Sequence, residues 1–164
     1  MKKAAILTAV LLSCLNLPLT SQELTPEYSH HALYFEAGGH GVLYTINYDY
    51  RFAKIFAARI GFTHYTIPNF FFSDLTITAF PILGEFLIGG DEHFFEIGAG
   101  IMPTIGESSF HFFSSSTSSV VGVANIGYRY QPVDEGFFFR ASVPAFITST
   151  GVGGWGGLSF GYAF

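Results

Sequence analysis

The last eight residues carry the plainest pattern in the chain. In Gly157-Leu158-Ser159-Phe160-Gly161-Tyr162-Ala163-Phe164, large apolar side chains hold every second position and small ones fill the gaps. Successive side chains on a strand point to opposite faces, so a period of two marks a strand with one greasy face. The same alternation runs upstream. Val42, Tyr44, Ile46, Tyr48 and Tyr50 alternate with Thr45, Asn47, Asp49 and Arg51. Ala124, Ile126, Tyr128 and Tyr130 alternate with Asn125, Gly127 and Arg129, and Phe137, Phe139, Ala141 and Val143 with Phe138, Arg140 and Ser142. The pattern predicts eight strands, at 32–38, 41–52, 55–66, 74–88, 93–103, 119–131, 136–148 and 154–164. The fourth is apolar on both faces.

The predicted connections alternate in length. Residues 52–54, 89–92 and 132–135 are short and turn-like, whereas 67–73, 104–118 and 149–153 are longer, the second holding the run Ser114-Ser115-Ser116-Thr117-Ser118. Short turns at one end and longer loops at the other are the habit of outer-membrane barrels. Gly38-Gly39-His40-Gly41 is an exception, tight on the loop side.

The N-terminus follows a different rule. Lys2 and Lys3 precede a mostly apolar run over 4–17, Pro18 breaks it, and Ser21 offers a small residue for cleavage. This is the layout of a secretory signal peptide, which predicts a signal at 1–21 and a mature domain at 22–164. Cys14 is the chain's single cysteine. It is either removed with the signal or, by a loose lipoprotein-like context, lipidated. The mature chain then holds no disulfide, which excludes the disulfide-stapled secreted classes.

Composition decides which way the greasy face turns. Charged residues make up 12% of the chain, hydrophobic residues 49% and aromatics 18%, with a net charge of -5. A soluble domain averages about 25% charged residues, so this chain has too few to coat an exterior. An acidic balance also argues against nucleic acid as a partner. Tyr and Phe near strand ends suit the interfacial girdles of a membrane barrel, and closure leaves no unpaired edge in lipid. The expected fold is all-β: an eight-stranded antiparallel up-and-down transmembrane β-barrel with its greasy face outward, monomeric, and bounded by outer-membrane lipid.

The final strand resembles the C-terminal assembly signal of bacterial outer-membrane barrels, with Leu158, Phe160, Tyr162 and Phe164 at the alternating positions and Phe last. The stretches Gly127-Tyr128-Arg129-Tyr130-Gln131-Pro132, Gly136-Phe137-Phe138-Phe139-Arg140-Ala141 and Gly157-Leu158-Ser159-Phe160-Gly161-Tyr162 make the mature chain similar to small, uncharacterised outer-membrane proteins of Gram-negative bacteria. The resemblance implies location in the outer membrane and the barrel-assembly machinery as a partner of the last strand. It implies no activity.

With the greasy face outward, Asp49, Arg59, Glu85, Glu96, Arg129 and Arg140 turn inward. Hairpin symmetry sets Asp49 opposite Arg59, Glu85 opposite Glu96, and Arg129 opposite Arg140, all at similar height above the short turns. Arg59 then flanks Glu85 and Arg129 flanks Glu96, which predicts an interior belt of salt bridges. Glu36 is a further candidate from the first strand. Such a belt fills the interior of an eight-stranded barrel; a narrow gated pore is the alternative.

Candidate chemistry is thin. His64 with Ser73 and Asp74, and His111 among serines, lack a motif that fixes a geometry, so no catalytic residue is assigned. His30 and His31 are adjacent and face opposite ways on a strand, so no metal site is assigned, and no cofactor is expected. Gly38-Gly39-His40-Gly41 lacks the Lys-Ser/Thr ending of a phosphate loop. Phe70-Phe71-Phe72 reads as an interfacial anchor. The expected role is structural, or binding of an unidentified extracellular ligand through 67–73 and 104–118. A lipid-modifying enzyme, a narrow channel and a soluble lipocalin-like binder of apolar ligands are the alternatives.

Overall fold

A computed structural model of the chain describes residues 28–70, 73–110 and 113–164. The expected signal peptide, Cys14, His111 and the tip of the Phe70–Phe72 run lie outside the described residues. The rest is antiparallel sheet: β1 (His31–Gly38), β2 (Tyr44–Ala53), β3 (Phe56–Phe70), β4 (Ser73–Ala79), β5 (Ile82–Gly90), β6 (His93–Phe110), β7 (Phe113–Tyr130), β8 (Gly136–Thr148), β9 (Gly151–Gly154) and β10 (Gly157–Ala163). A 3-10 turn, Gly39–Gly41, links β1 to β2.

These ten segments make eight wall positions. β4 and β5 run between β3 and β6, broken at Phe80-Pro81. Proline has no N–H for the ladder, yet register is kept, with Thr63 opposite Ala79 and Ile60 opposite Ile82. β9 and β10 likewise share the wall beside β8, broken at Trp155-Gly156. β10 pairs with both β8 and β1, and this closes the ring. The lower end is taken here as the end with the chain termini and the short turns.

The alternation read from sequence sorts the faces. Leu158, Phe160, Tyr162 and Phe164 are about half exposed, whereas Ser159 and Ala163 are fully buried. The outward set runs round the ring, including Leu33, Phe35, Ile46, Tyr48, Ile60, Phe62, Ile97, Ile126, Phe137 and Val143. So large an apolar exterior requires lipid around it. Rings cluster near the lower rim: His31 bonds the Tyr48 hydroxyl at 2.7 Å and His93 the Tyr128 hydroxyl at 2.6 Å.

Two expectations need correction. The segments 67–73 and 104–118 are not long loops. β3 continues to Phe70, β4 starts at Ser73, and β6 and β7 stay paired from His93↔Tyr130 up to Phe110↔Phe113. Above the ring β7 has no β8 partner until Gly122↔Ile147, and β2 leaves β3 above Ile46↔Phe62. β3, β4, β6 and β7 therefore rise as a four-stranded sheet above the rest of the wall. Ser115–Val120 are exposed on both faces there, so burial imposes no alternation. The segment's serines hid its strand character. Second, Glu85 is not opposite Glu96. The β5–β6 turn is Asp91-Glu92, with Asp91 at φ 59° and Gly90 paired to His93. Aspartate tolerates that left-handed conformation, which keeps Gly89 and Gly90 in the strand. Glu85 therefore faces Gly98, and Glu96 faces Leu87.

Candidate functional site: the charged lumen

Inward side chains stack in layers. At the bottom, the Arg51 guanidinium lies 4.3 Å from the Tyr28 ring centre and 4.5 Å from that of Phe94, and it donates to Lys54 O at 2.6 Å. Gln131 Nε2 donates to Ser29 O at 2.9 Å, and Ser29 Oγ to Pro132 O at 2.8 Å. The segment before β1 is thereby fastened across the lower opening. Tyr34 stacks on Phe138 just inside, ring centres 4.6 Å apart.

Next comes the ionic layer. Among the described residues, Glu36, Asp49, Glu85 and Glu96 share the interior with Arg51, Arg59, Arg129 and Arg140, all at 2% exposure or less. Arg129 Nη2 donates to Asp49 Oδ2 at 2.9 Å and to Glu85 Oε2, while its Nε donates to Glu96 Oε2 at 2.9 Å. Arg140 donates to Glu36 at 2.9 Å, to Glu85 at 3.4 Å and, through Nε, to Glu96. Arg59 sits 3.4 Å from Glu85 and 3.8 Å from Glu36. Buried charges persist when paired and hydrogen-bonded, and here the four acids pair with Arg59, Arg129 and Arg140, while Arg51 lies in the layer below against Tyr28 and Phe94.

All six residues named from the sequence lie in this layer, though not always beside their expected neighbours. Asp49 is opposite Arg59 in register, and Arg129 is opposite Arg140. Asp49, however, bonds Arg129 across the lumen, over a separation of 80 residues. Hairpin counting orders residues round the wall and is blind to the diameter. It also missed His40, Asn125 and Ser142. His40 Nδ1 accepts from Arg59 Nη2 at 2.7 Å, and the His40 N–H donates to Glu36 at 3.2 Å. Asn125 Nδ2 donates to Glu96 at 2.9 Å, and Ser142 Oγ to Glu36 at 3.4 Å. Asn125 and Ser142 were visible as polar residues with inward parity. Gly98 makes room, since a Cβ there would lie 3.2 Å from Glu85 Cγ and 3.1 Å from Asn125 Cγ.

Above the ions the lumen turns apolar, with Ala79, Leu83, Met102 and Val123 packed together and Val121 and Phe146 against them. His64 lies on β3 and bonds Thr78 Oγ1 at 2.9 Å, and Ser73 receives a bond from Ser108 Oγ at 3.2 Å. Among the described residues, no three His, Cys, Asp or Glu converge as metal ligands.

Neither a protein-family model nor a characterised protein sequence matches this chain. Solved structures do. The N-terminal β-barrel domain of Pseudomonas aeruginosa OprF superposes with a TM-score of 0.63 at 14% identity, covering 84% of this chain and 98% of that one. The fold is that of the small outer-membrane β-barrels. Ail, the attachment invasion locus protein of Yersinia pestis, matches this barrel at a TM-score of 0.56 and 15% identity, over 84% of this chain and 99% of that one. A second Ail structure, in complex with the heparin analogue sucrose octasulfate, matches at 0.54 and 16% identity over 82% of this chain and 94% of that one. At such identities the likeness concerns the fold, and what the site does rests on this chain's own residues.

Proposed function

We propose that this chain is an integral outer-membrane barrel with a structural and surface-presenting role, and that its lumen does not conduct. The observation that carries this reading is the crowded lower lumen: Tyr28 lies on Arg51, Gln131 bonds Ser29, and above them Glu36, Asp49, Glu85 and Glu96 are each ion-paired with Arg59, Arg129 or Arg140. Eight strands enclose just enough space for side chains to fill. The greasy exterior weighs against a soluble lipocalin-like binder, whose apolar face would point inward. His64 is engaged with Thr78 Oγ1, and no motif in the sequence sets it as a base for a nucleophile, which weighs against a lipid-modifying enzyme.

The tall β3–β4–β6–β7 sheet is the surface on offer to a partner. Its chemistry differs from a site for heparin-like molecules such as the one Ail holds in its complex. No Lys or Arg occurs between Arg59 and Arg129, while Asp74 and Glu107 lie on the raised strands. A polyanion finds no counter-charge there, so the partner is one that reads hydroxyls and backbone. The test has two parts. The barrel should migrate differently in gels before and after boiling, with a strand-rich circular dichroism spectrum. It should also leave planar bilayers non-conducting. Discrete single-channel steps would overturn the sealed-lumen reading, and a folded chain soluble without detergent would overturn the membrane reading.

A further inference from the structure

The apolar layer above the ions does not fill the lumen. It leaves an open cavity of about 310 Å³. Tyr65, Met102, Val121 and Phe146 form its wall, His40 its floor, and Trp155 stands at the mouth, 41% exposed.

Most polar atoms around this space are already engaged within the protein; the Tyr65 hydroxyl is the exception, buried with no hydrogen-bond partner. His40 is tied to Arg59 at 2.7 Å and to Glu36 at 3.2 Å. Thr104 Oγ1 donates to Met102 O at 3.2 Å, Thr148 Oγ1 to Gly151 O at 3.0 Å, and Trp155 Nε1 to Gly39 O at 2.8 Å. Apart from the Tyr65 hydroxyl the cavity presents carbon, and His40 on its floor is held by Arg59 and Glu36. Water finds few partners in such a space, whereas an apolar guest gains contact along its walls. Pockets that hold small molecules span about 300–1,000 Å³, so this one is at the small end. At about 30 Å³ for a water-sized group, it takes an alkyl segment of about ten carbons.

The mouth lies on the low side of the barrel. β1 ends at Gly38 and β2 begins at Tyr44, while β6 and β7 climb to Phe110 and Phe113. The hydrogen bond from Trp155 to Gly39 spans this low wall, beside the exposed Val42 and Leu43. We infer that the upper lumen is a binding site for one alkyl chain, held by Tyr65, Met102, Val121 and Phe146, with any polar end left at the mouth beside Trp155. The chain belongs either to a free amphiphile or to a neighbouring membrane lipid, and the chemistry of the cavity is the same for both.

Trp155 is the only tryptophan in the protein and lines the cavity, so its fluorescence reads occupancy. The protein is purified from membranes and reconstituted in phosphatidylcholine vesicles, then titrated with 8-bromooctan-1-ol, a contact quencher. Quenching through the bilayer alone rises without saturating. Cavity binding adds a saturable component, relieved by unbrominated octan-1-ol and weakened at least tenfold by Thr104→Phe or Val121→Phe, which fill the space from adjacent strands. Vesicles of brominated-acyl phosphatidylcholine form the second arm: if a lipid chain is the guest, quenching of Trp155 exceeds that in Thr104→Phe at least twofold. A saturable first arm assigns the site to free amphiphiles, and a variant-sensitive second arm assigns it to lipid. Each variant is scored only if its gel mobility remains heat-modifiable. The octan-1-ol competition uses the unaltered protein and stands even if neither variant folds. Unsaturable quenching that octan-1-ol does not relieve, together with brominated-lipid quenching unchanged in Thr104→Phe, overturns the proposal. Should both variants fail to fold, unsaturable, unrelieved quenching in the unaltered protein overturns it alone.

Discussion

Arg129→Met is the sharpest perturbation of the ionic layer. Arg129 serves three carboxylates, and they are not equally dependent on it. Glu85 keeps Arg59 at 3.4 Å and Arg140 at 3.4 Å, and Glu96 keeps Arg140 and Asn125. Among the described residues Asp49 keeps no ion-pair partner within 4 Å, and it is fully buried. Stranding one buried charge by removing its partner costs about 3–5 kcal/mol. The structure thus predicts a single such loss, not three, because only one of the three acids is stranded. Arg129→Met with Asp49→Asn removes the stranded charge and should recover most of the deficit, since a buried pair exchanged for neutral groups is often near neutral. The assay is equilibrium unfolding in urea from lipid vesicles, followed by Trp155 fluorescence, across the full double-mutant cycle. A single variant within about 1 kcal/mol of the parent, or a double variant no better than the single, would refute the assignment of Asp49 to Arg129.

Other perturbations test neighbouring parts of the same construction. Glu96→Ala leaves donors on Arg129, Arg140 and Asn125 unmet, but each arginine retains two other carboxylates, so the loss should be about 1–3 kcal/mol, below that of Arg129→Met in the same assay. Gly39→Ala puts a Cβ into the Glu36 carboxylate at a position with φ 62°, and unfolding should show a loss of about 1–3 kcal/mol. Phe164→Ala removes a half-exposed ring stacked on His31. It should leave the refolded barrel's unfolding free energy within about 0.5 kcal/mol of the parent, typical of surface changes, while lowering the amount recovered in the outer-membrane fraction. Equal recovery would argue against the last strand as an assembly signal.

How much of this was legible depended on whether one face was buried. Where a strand has one face to lipid and one to the lumen, side-chain parity is enforced, and Leu158–Phe164 or Phe137–Val143 could be sorted by eye. Hairpin counting placed Arg129 opposite Arg140 because that hairpin is symmetric about the counted centre, and Asp49 opposite Arg59 because a register shift between Arg51 and Ala53 brings the pairing onto Lys54. It failed at Glu85 because a two-residue turn with a left-handed Asp91 looks, in sequence, like a longer glycine turn. The height of β6 and β7 was illegible for a related reason: above the rim neither face is buried, so nothing selects alternation or apolar residues.

The bonds that span the lumen follow from closure rather than from local pairing. The ion pairs draw on β1, β2, β3, β5, β6, β7 and β8, and several join residues more than 40 apart in sequence. Arg129 on β7 reaches Asp49 on β2, and Arg140 on β8 reaches Glu36 on β1. An open sheet brings neither pair together, because β8 and β1 become near neighbours only when β10 joins both. In such a sheet the Asp49 carboxylate would lose Arg129, its one ion-pair partner among the described residues. Sealing the ring therefore satisfies the most costly groups in the chain together, and it favours the closed barrel over partly paired alternatives. That argument also explains why the inner face can hold so many charges while the exterior holds so few: lipid forbids them outside, and closure pairs them inside.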